Sequence, residues 1–149
     1  MTPTVNKVLV PVDFSSRTQQ VLDFATDLAK RYEASLDLIY VYEPLTYALP
    51  EGYVLVTPDQ LREILGQFEK QLAGAKQRAA AAGVPNVQTV LLQGSPIGEI
   101  LRYAQERGTD LIVMGTHGRT GARRLFIGSV AENIVRASKC PVLTVRTVD

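Results

Sequence analysis

The chain has 149 residues, a hydrophobic fraction of 46%, a charged fraction of 21% and a formal net charge of +1. That length suits one domain with a real core, and the composition argues against disorder. The near-neutral charge gives no electrostatic footprint for nucleic acid or an acidic membrane, and a single cysteine excludes an internal disulfide.

Val8-Leu9-Val10-Pro11-Val12 reads as a first, fully buried strand. Behind Ser15-Ser16, apolar residues at Val21, Leu22, Ala25, Leu28, Ala29 and Tyr32 share one helix face. Leu36 to Tyr42 is the second strand. The connection that follows, Glu43 to Val56, shows no regular period; at that length it is expected to be functional or mobile. Tyr47 and Tyr53 within it read first as packing on the protein's own surface, and second as a lid or partner contact. Thr57-Pro58-Asp59-Gln60 has the form of a capping box with proline in the first turn. The helix it opens should bury Leu61, Ile64, Leu65, Phe68, Leu72, Ala75 and Ala79, and stop near Gly83.

Val87 to Leu92 is the third strand, Ser95-Pro96 opens a helix to about Glu106, and Leu111 to Met114 is the fourth strand. A glycine-bearing loop leads to a helix near Val130–Ala137, and Pro141 to Val145 is the last strand. Apolar strands alternating with helices indicate a doubly wound parallel sheet covered on both faces, with residues 1–149 forming one domain. The amino-terminal residues Met1 to Lys7 lack the pattern of a signal peptide, and no apolar run is long enough to span a bilayer. A cytoplasmic protein is the expectation.

In such sheets ligands bind beyond the carboxyl ends of the strands, where the winding reverses. Two strand ends carry unusual chemistry. The first ends in Asp13, and the fourth in Gly115-Thr116-His117-Gly118-Arg119, with Gly128-Ser129 ahead of the helix at Val130. If the chain reverses after the third strand, both ends face one crevice. Glycines admit close backbone approach, and a helix start attracts phosphate oxygens. The Ser129 hydroxyl suits a phosphate or its metal ion, and the Asp13 carboxylate suits ribose hydroxyls or an adenine amino group. Arg119, Arg123 and Arg124 offer forked donors for a polyphosphate, with a solvated face as the competing account of Arg123 and Arg124.

Gly115-x2-Gly118-x9-Gly128-Ser129 matches the G-x2-G-x9-G-[S/T] signature of ATP-binding universal stress proteins, which the chain resembles from about Lys7 to Arg146. The flanks Val10-Pro11-Val12-Asp13, Gly128 to Glu132 and Cys140-Pro141-Val142-Leu143 look like that family too. The resemblance implies a five-stranded parallel sheet of order 3-2-1-4-5, of the adenine nucleotide alpha hydrolase-like kind. It implies ATP across the strand ends, with Mg²⁺ or Mn²⁺ carried by the phosphates. Pro11, Val12, Asp13, Val41 and Met114 would surround the nucleoside, with the backbone of Val41 facing the adenine. Gly115, Thr116, His117, Gly118, Arg119, Gly128, Ser129 and Val130 would line ribose and phosphates. Pairing as a homodimer through the last strand, Val142–Val145, is implied as well. Phe14 stands where members often carry glycine or another small residue, and is expected to narrow the crevice mouth.

Several of these residues have plainer roles. Asp13 can cap the following helix, Ser15 and Ser16 read as caps, and His117 reads first as a solvated loop residue. Cys140 reads as a small buried hydrophobe. The leading functional reading is a nucleotide-dependent regulator in stress response. A slow ATPase or self-phosphorylating protein is the second, for which His117 is the neutral-pH base in the loop. The third is a nucleotide-independent interaction module acting on an unidentified protein partner through the last strand. The chain has no G-x4-G-K-[ST] phosphate loop, no G-x-G-x-x-G after the first strand and no His/Cys/carboxylate cluster for a protein-held metal.

Overall fold

A computed structural model of the chain describes residues 3–43, 46–49, 52–116 and 127–147. His117, Gly118, Arg119, Arg123 and Arg124 lie outside the described residues.

Five strands, apolar over most of their length, form one parallel sheet covered by helices on both faces. These are β1 (Lys7–Pro11), β2 (Ser35–Tyr42), β5 (Val87–Gln93), β6 (Leu111–Gly115) and β7 (Val142–Val145), in the spatial order β5-β2-β1-β6-β7. Counted along the parallel strands alone, that is the expected 3-2-1-4-5. Two helices cover one face, α1 (Thr18–Tyr32) and α2 (Pro58–Ala81). The other carries α3 (Pro96–Glu106) and α4 (Ser129–Ala137). Two cores follow from the alternation of the strands. Val8, Val10, Leu36, Leu38 and Val113 face α1 and α2, while Leu9, Ile39, Ile112 and Met114 face α3 and α4. Val8, Leu9 and Val10 are wholly inaccessible, so successive residues of β1 bury opposite faces of the sheet.

The segment expected to be irregular, Glu43 to Val56, instead contains a small antiparallel hairpin. Its strands are β3 (Thr46–Leu49) and β4 (Gly52–Leu55), with Tyr47 opposite Val54 and Ala48 opposite Tyr53. It forms a sheet of its own beside the main one. The capping box reads out as expected: Gln60 N–H donates to Thr57 Oγ1 at 3.2 Å, and Thr57 N–H to Gln60 Oε1 at 3.0 Å. Gly83 takes a φ of +109°, and its N–H donates to the Ala80 carbonyl, which ends α2 through a left-handed turn.

Tyr32 departs from expectation. It is 51% exposed, because it is the last residue of α1 and the chain dips into the core only two residues later, at Ala34. The first turns of α2 are also less covered than their apolar stripe implies. Leu61, Ile64, Leu65 and Phe68 are half-buried, and full burial begins at Leu72. All four residues of β7 are half-buried, as an edge strand requires.

One polar pair sits inside the α3-side core. Asp37, 1% exposed in the middle of β2, accepts a 3.0 Å hydrogen bond from the Tyr103 hydroxyl on α3. Burial, and then the neighbouring Asp37 carboxylate, push the Tyr103 phenol up to about 12. The Arg107 guanidinium lies 5.9 Å from the centre of the same ring. Since the folded phenol holds its proton more tightly than the unfolded one, its stabilising contribution is complete below about pH 10. It is lost as pH rises toward 12. Tyr103→Phe should lower stability at neutral pH by about 2 kcal/mol by orphaning the Asp37 carboxylate. The gap between the variant and the parent should then shrink above pH 10, a difference readable from urea unfolding at pH 7.5, 10 and 11.

Candidate functional site

The pairing of β1 with β6 builds the site. Val8 lies opposite Leu111 and Leu9 opposite Ile112. Ahead of both strands, the Asp110 carboxylate accepts the backbone N–H groups of Asn6 and Lys7, each at 2.9 Å. The chain leaves β1 toward α1 on one face, and it enters α4 after β6 on the other. The carboxyl ends therefore splay apart and leave a crevice at the reversal point.

A cleft of about 250 Å³ opens there. Of the residues expected at a nucleotide, Pro11, Val12, Asp13, Val41, Met114, Gly115, Thr116 and Val130 all line it. Gly128 and Ser129, expected at the phosphates, are not among the lining residues. Gly128 N–H donates to the Thr116 carbonyl at 2.6 Å, which ties the start of α4 to the end of β6. His117, Gly118 and Arg119 belong to the segment outside the described residues.

Seven further lining residues were not singled out from the sequence as ligand contacts: Arg17, Thr18, Val21, Tyr40, Pro96, Ile100 and Ala131. Their common signal is position. Each lies near the carboxyl end of a strand or at the start of the helix that follows, the end of a doubly wound sheet where ligands bind. Ser15, expected only as a cap, lines it too. The walls are chemically divided. Val21, Val41, Pro96, Ile100 and Met114 form an apolar slot suited to a planar ring, and Asp13, Ser15, Arg17, Thr18 and Thr116 supply the polar rim.

Asp13 also orders the turn that leads into α1, without capping the helix. Its Oδ1 accepts from the Ser15 N–H at 3.0 Å and from the Thr18 hydroxyl at 2.8 Å. Ser15 in turn accepts from the Arg17 N–H at 3.3 Å, so its hydroxyl shapes the turn two residues ahead of α1 and does not cap the helix itself. The helix begins after Arg17 with no side-chain cap of its own. The carboxylate thus orders the loop and forms part of the cleft wall.

Phe14 does not narrow the crevice. It adopts a left-handed backbone with φ of +55°, a conformation natural to glycine and costly for a side chain. That geometry swings the ring to the α2 side of the sheet. There it lies 5.0 Å from the ring of Tyr40 and 6.5 Å from that of Phe68, and Tyr40 and Phe68 stand 4.4 Å apart. Aromatic packing holds the strained turn, and the cleft stays open.

The start of α4 is the second chemical feature. Gly128 occupies the N-cap with φ −60° and ψ 155°, and among the described residues no side chain caps the helix. The first-turn amides of a helix have no intrahelical acceptor, and the helix dipole places partial positive charge there. Val130 and Ala131 of that turn line the cleft. Glu132, the acidic residue of the first turn, is drawn away toward Arg136 at 2.9 Å. Among the described residues no group of three His, Cys, Asp or Glu side chains is placed to hold a metal ion. No described helix is long and apolar enough to cross a membrane.

Comparison with known proteins agrees with this geometry. The family model for the universal stress protein family matches residues 4–146. The universal stress protein YxiE of Bacillus subtilis is 37% identical over 147 residues, which covers 95% of this chain and 99% of that protein. Among solved structures, the universal stress protein UspA from Lactobacillus plantarum superposes with a TM-score of 0.82 at 28% identity, covering 97% of this chain and all of that one. A universal stress protein solved in complex with cAMP gives a TM-score of 0.73 at 27% identity, covering 97% of this chain and 99% of that one. The chain belongs to the universal stress protein family.

Proposed function

We propose that this chain is an ATP-binding universal stress protein, a nucleotide-dependent regulator whose ligand lies across the carboxyl ends of β1 and β6. The observation that carries the reading is the juxtaposition of an apolar slot with an uncapped helix start in one cleft. A slot between Val41, Ile100 and Met114 suits adenine, and the Asp13 carboxylate at its rim is an acceptor for ribose hydroxyls. The amides at the head of α4 are donors for phosphate oxygens. The complex with cAMP formed by a relative at 27% identity supports an adenine nucleotide as the ligand class. The spacing Gly115-x2-Gly118-x9-Gly128-Ser129 favours ATP within that class. With the phosphates would come Mg²⁺ or Mn²⁺, held by ligand oxygens and the Ser129 hydroxyl.

The proposed homodimer rests on the edge of the sheet. Ile112 N–H donates to Pro141 O and Thr116 N–H to Val145 O, so the odd-numbered residues of this stretch point their backbone groups at β6. By strand alternation Val142 and Thr144 turn theirs outward, toward an edge that has no neighbour among the described residues.

Calorimetric titration of nucleotide-free protein with ATP and Mg²⁺ tests the first claim, and saturable micromolar binding is the expected result. Gly128→Val should abolish it while leaving the fold intact, since φ −60° and ψ 155° suit any residue and only the approach of phosphate is blocked. Retained affinity in a folded Gly128→Val chain overturns the assignment. Asp13→Asn keeps an oxygen for Ser15 and Thr18 but removes the charge. We expect unfolding within about 0.5 kcal/mol of the parent and ATP affinity down about tenfold, or 1.4 kcal/mol. Thr144→Pro removes one outward N–H and none that serves β6, so light scattering should report a monomer of unchanged helix content. A dimer that survives this change does not use β7.

A further inference from the structure

Among the described residues other than glycine, only Phe14 and Glu33 have a positive φ, +55° and +54°. Glu33 closes α1, where its N–H donates to the Lys30 carbonyl at 3.2 Å, so its left-handed backbone is an ordinary helix end. Phe14 has no such setting. It stands in the turn after β1, and the chain is tied down on both sides of it. The Val12 N–H donates to the Ile39 carbonyl at 2.8 Å, and the Thr18 N–H to the Ser15 carbonyl at 3.1 Å. Between these ties, the dihedral angles of Asp13 and Phe14 decide where the Asp13 carboxylate stands at the cleft rim.

A phenylalanine with a left-handed backbone has lower-energy conformations close at hand, so contacts outside the turn have to hold it. The rings supply them. Phe14 packs 5.0 Å from Tyr40 of β2 and 6.5 Å from Phe68 of α2, with its plane 11° from that of Phe68. Phe68 completes the group, 4.4 Å from Tyr40 and 6.5 Å from Tyr42. Neither Phe14 nor Phe68 lines the cleft, whereas Asp13, Ser15 and Tyr40 do. A turn that only joined β1 to α1 would be made at less cost by glycine.

We infer, on the reading of the cleft as a nucleotide site, that Phe14 and Phe68 are positioning residues: their packing with Tyr40 holds the Phe14 turn left-handed and so sets the Asp13 carboxylate against the ligand. Phe68 then acts on the nucleotide from α2, none of whose residues line the cleft. Apparent affinity falls with the fraction of molecules whose site is in shape, so a turn correctly formed a tenth of the time binds about ten times more weakly.

Two variants separate the ring from the strain. Phe14→Ala and Phe14→Gly both lose the ring, but only alanine keeps the cost of a positive φ. By calorimetry, ATP affinity should fall about tenfold in Phe14→Ala and stay within about threefold of the parent in Phe14→Gly. Phe68→Ala should weaken ATP about fivefold when Phe14 is present, and by less than about twofold in the Phe14→Gly chain. A ring that merely stabilised the fold would lower the urea midpoint and leave the affinity of the folded protein unchanged. The Ser15 amide, which donates to Asp13 Oδ1 at 3.0 Å, reports the turn without any nucleotide. Its hydrogen exchange should quicken about tenfold in Phe14→Ala and several-fold in Phe68→Ala. A parent chain that binds no ATP overturns the nucleotide reading, and the Ser15 exchange rates still decide the role of the rings. Equal ATP affinity in Phe14→Ala and Phe14→Gly, or parental Ser15 exchange in a folded Phe68→Ala chain, overturns the inference. Should Phe68→Ala not fold, Phe68→Leu takes its place, with the same direction expected in both measurements.

Discussion

The register of β1 against β6 is the constraint on which the rest of the molecule hangs. The strands pair in parallel, so each is joined to the next by a crossover that returns the chain to the same end of the sheet. Three strands laid down in one direction, β1 then β2 then β5, leave two open edges, and β6 takes the one beside β1. Asp110 fixes that step, since its carboxylate takes two backbone N–H groups from the start of β1. Once β6 is docked there, α1 and α4 depart to opposite faces. The crevice between them exists because no crossover passes over it, and its lining is whatever residues happen to end β1 and β6.

Those residues carry two demands at once. Asp13 must hold the turn into α1, through Ser15 and Thr18, and also present charge to the cleft. The two uses are compatible because a carboxylate has about four acceptor positions, and Ser15 and Thr18 share one oxygen. Phe14 shows the cost of the same tight turn. Its left-handed backbone is unfavourable for any residue with a side chain, and packing against Tyr40 and Phe68 offsets it. Tyr40 belongs both to that aromatic group and to the cleft wall. Strain in the first turn is thus absorbed on the α2 side of the sheet and does not reach the ligand side.

How far the sequence discloses this depends on whether burial imprints a period. The five parallel strands are legible because they are apolar on both faces, and the order of the sheet came with the family resemblance. The helices are legible because α1, α2 and α3 each bury one stripe and carry polar residues opposite. The hairpin of β3 and β4 was not read. Its strands, Thr46–Leu49 and Gly52–Leu55, are four residues each, too short for an alternation to stand out from the sequence. The direction of the Phe14 side chain was missed for another reason. It follows from one dihedral angle, and phenylalanine gives no hint of a positive φ. The cleft residues contributed by helices, Ile100 and Ala131 among them, read as ordinary core positions, since a residue facing a ligand slot and one facing a neighbour's side chain have the same apolar character. The Asp37–Tyr103 pair was equally silent, because a carboxylate in a strand and a tyrosine in a helix sixty-six positions apart have no spacing to connect them.

α4 brings these threads together, because its two ends face different chemistry. Its first turn, without a side-chain cap among the described residues, lines the cleft through Val130 and Ala131, while its last turn gives way to Ser138, Lys139 and Cys140. Beyond Pro141 the same segment becomes β7, the open edge of the sheet. The helix is only nine residues long and is seated by Ala131 and Ile134, one turn apart on its buried face. So short a rigid body, held at its centre, has little means of moving one end without the other.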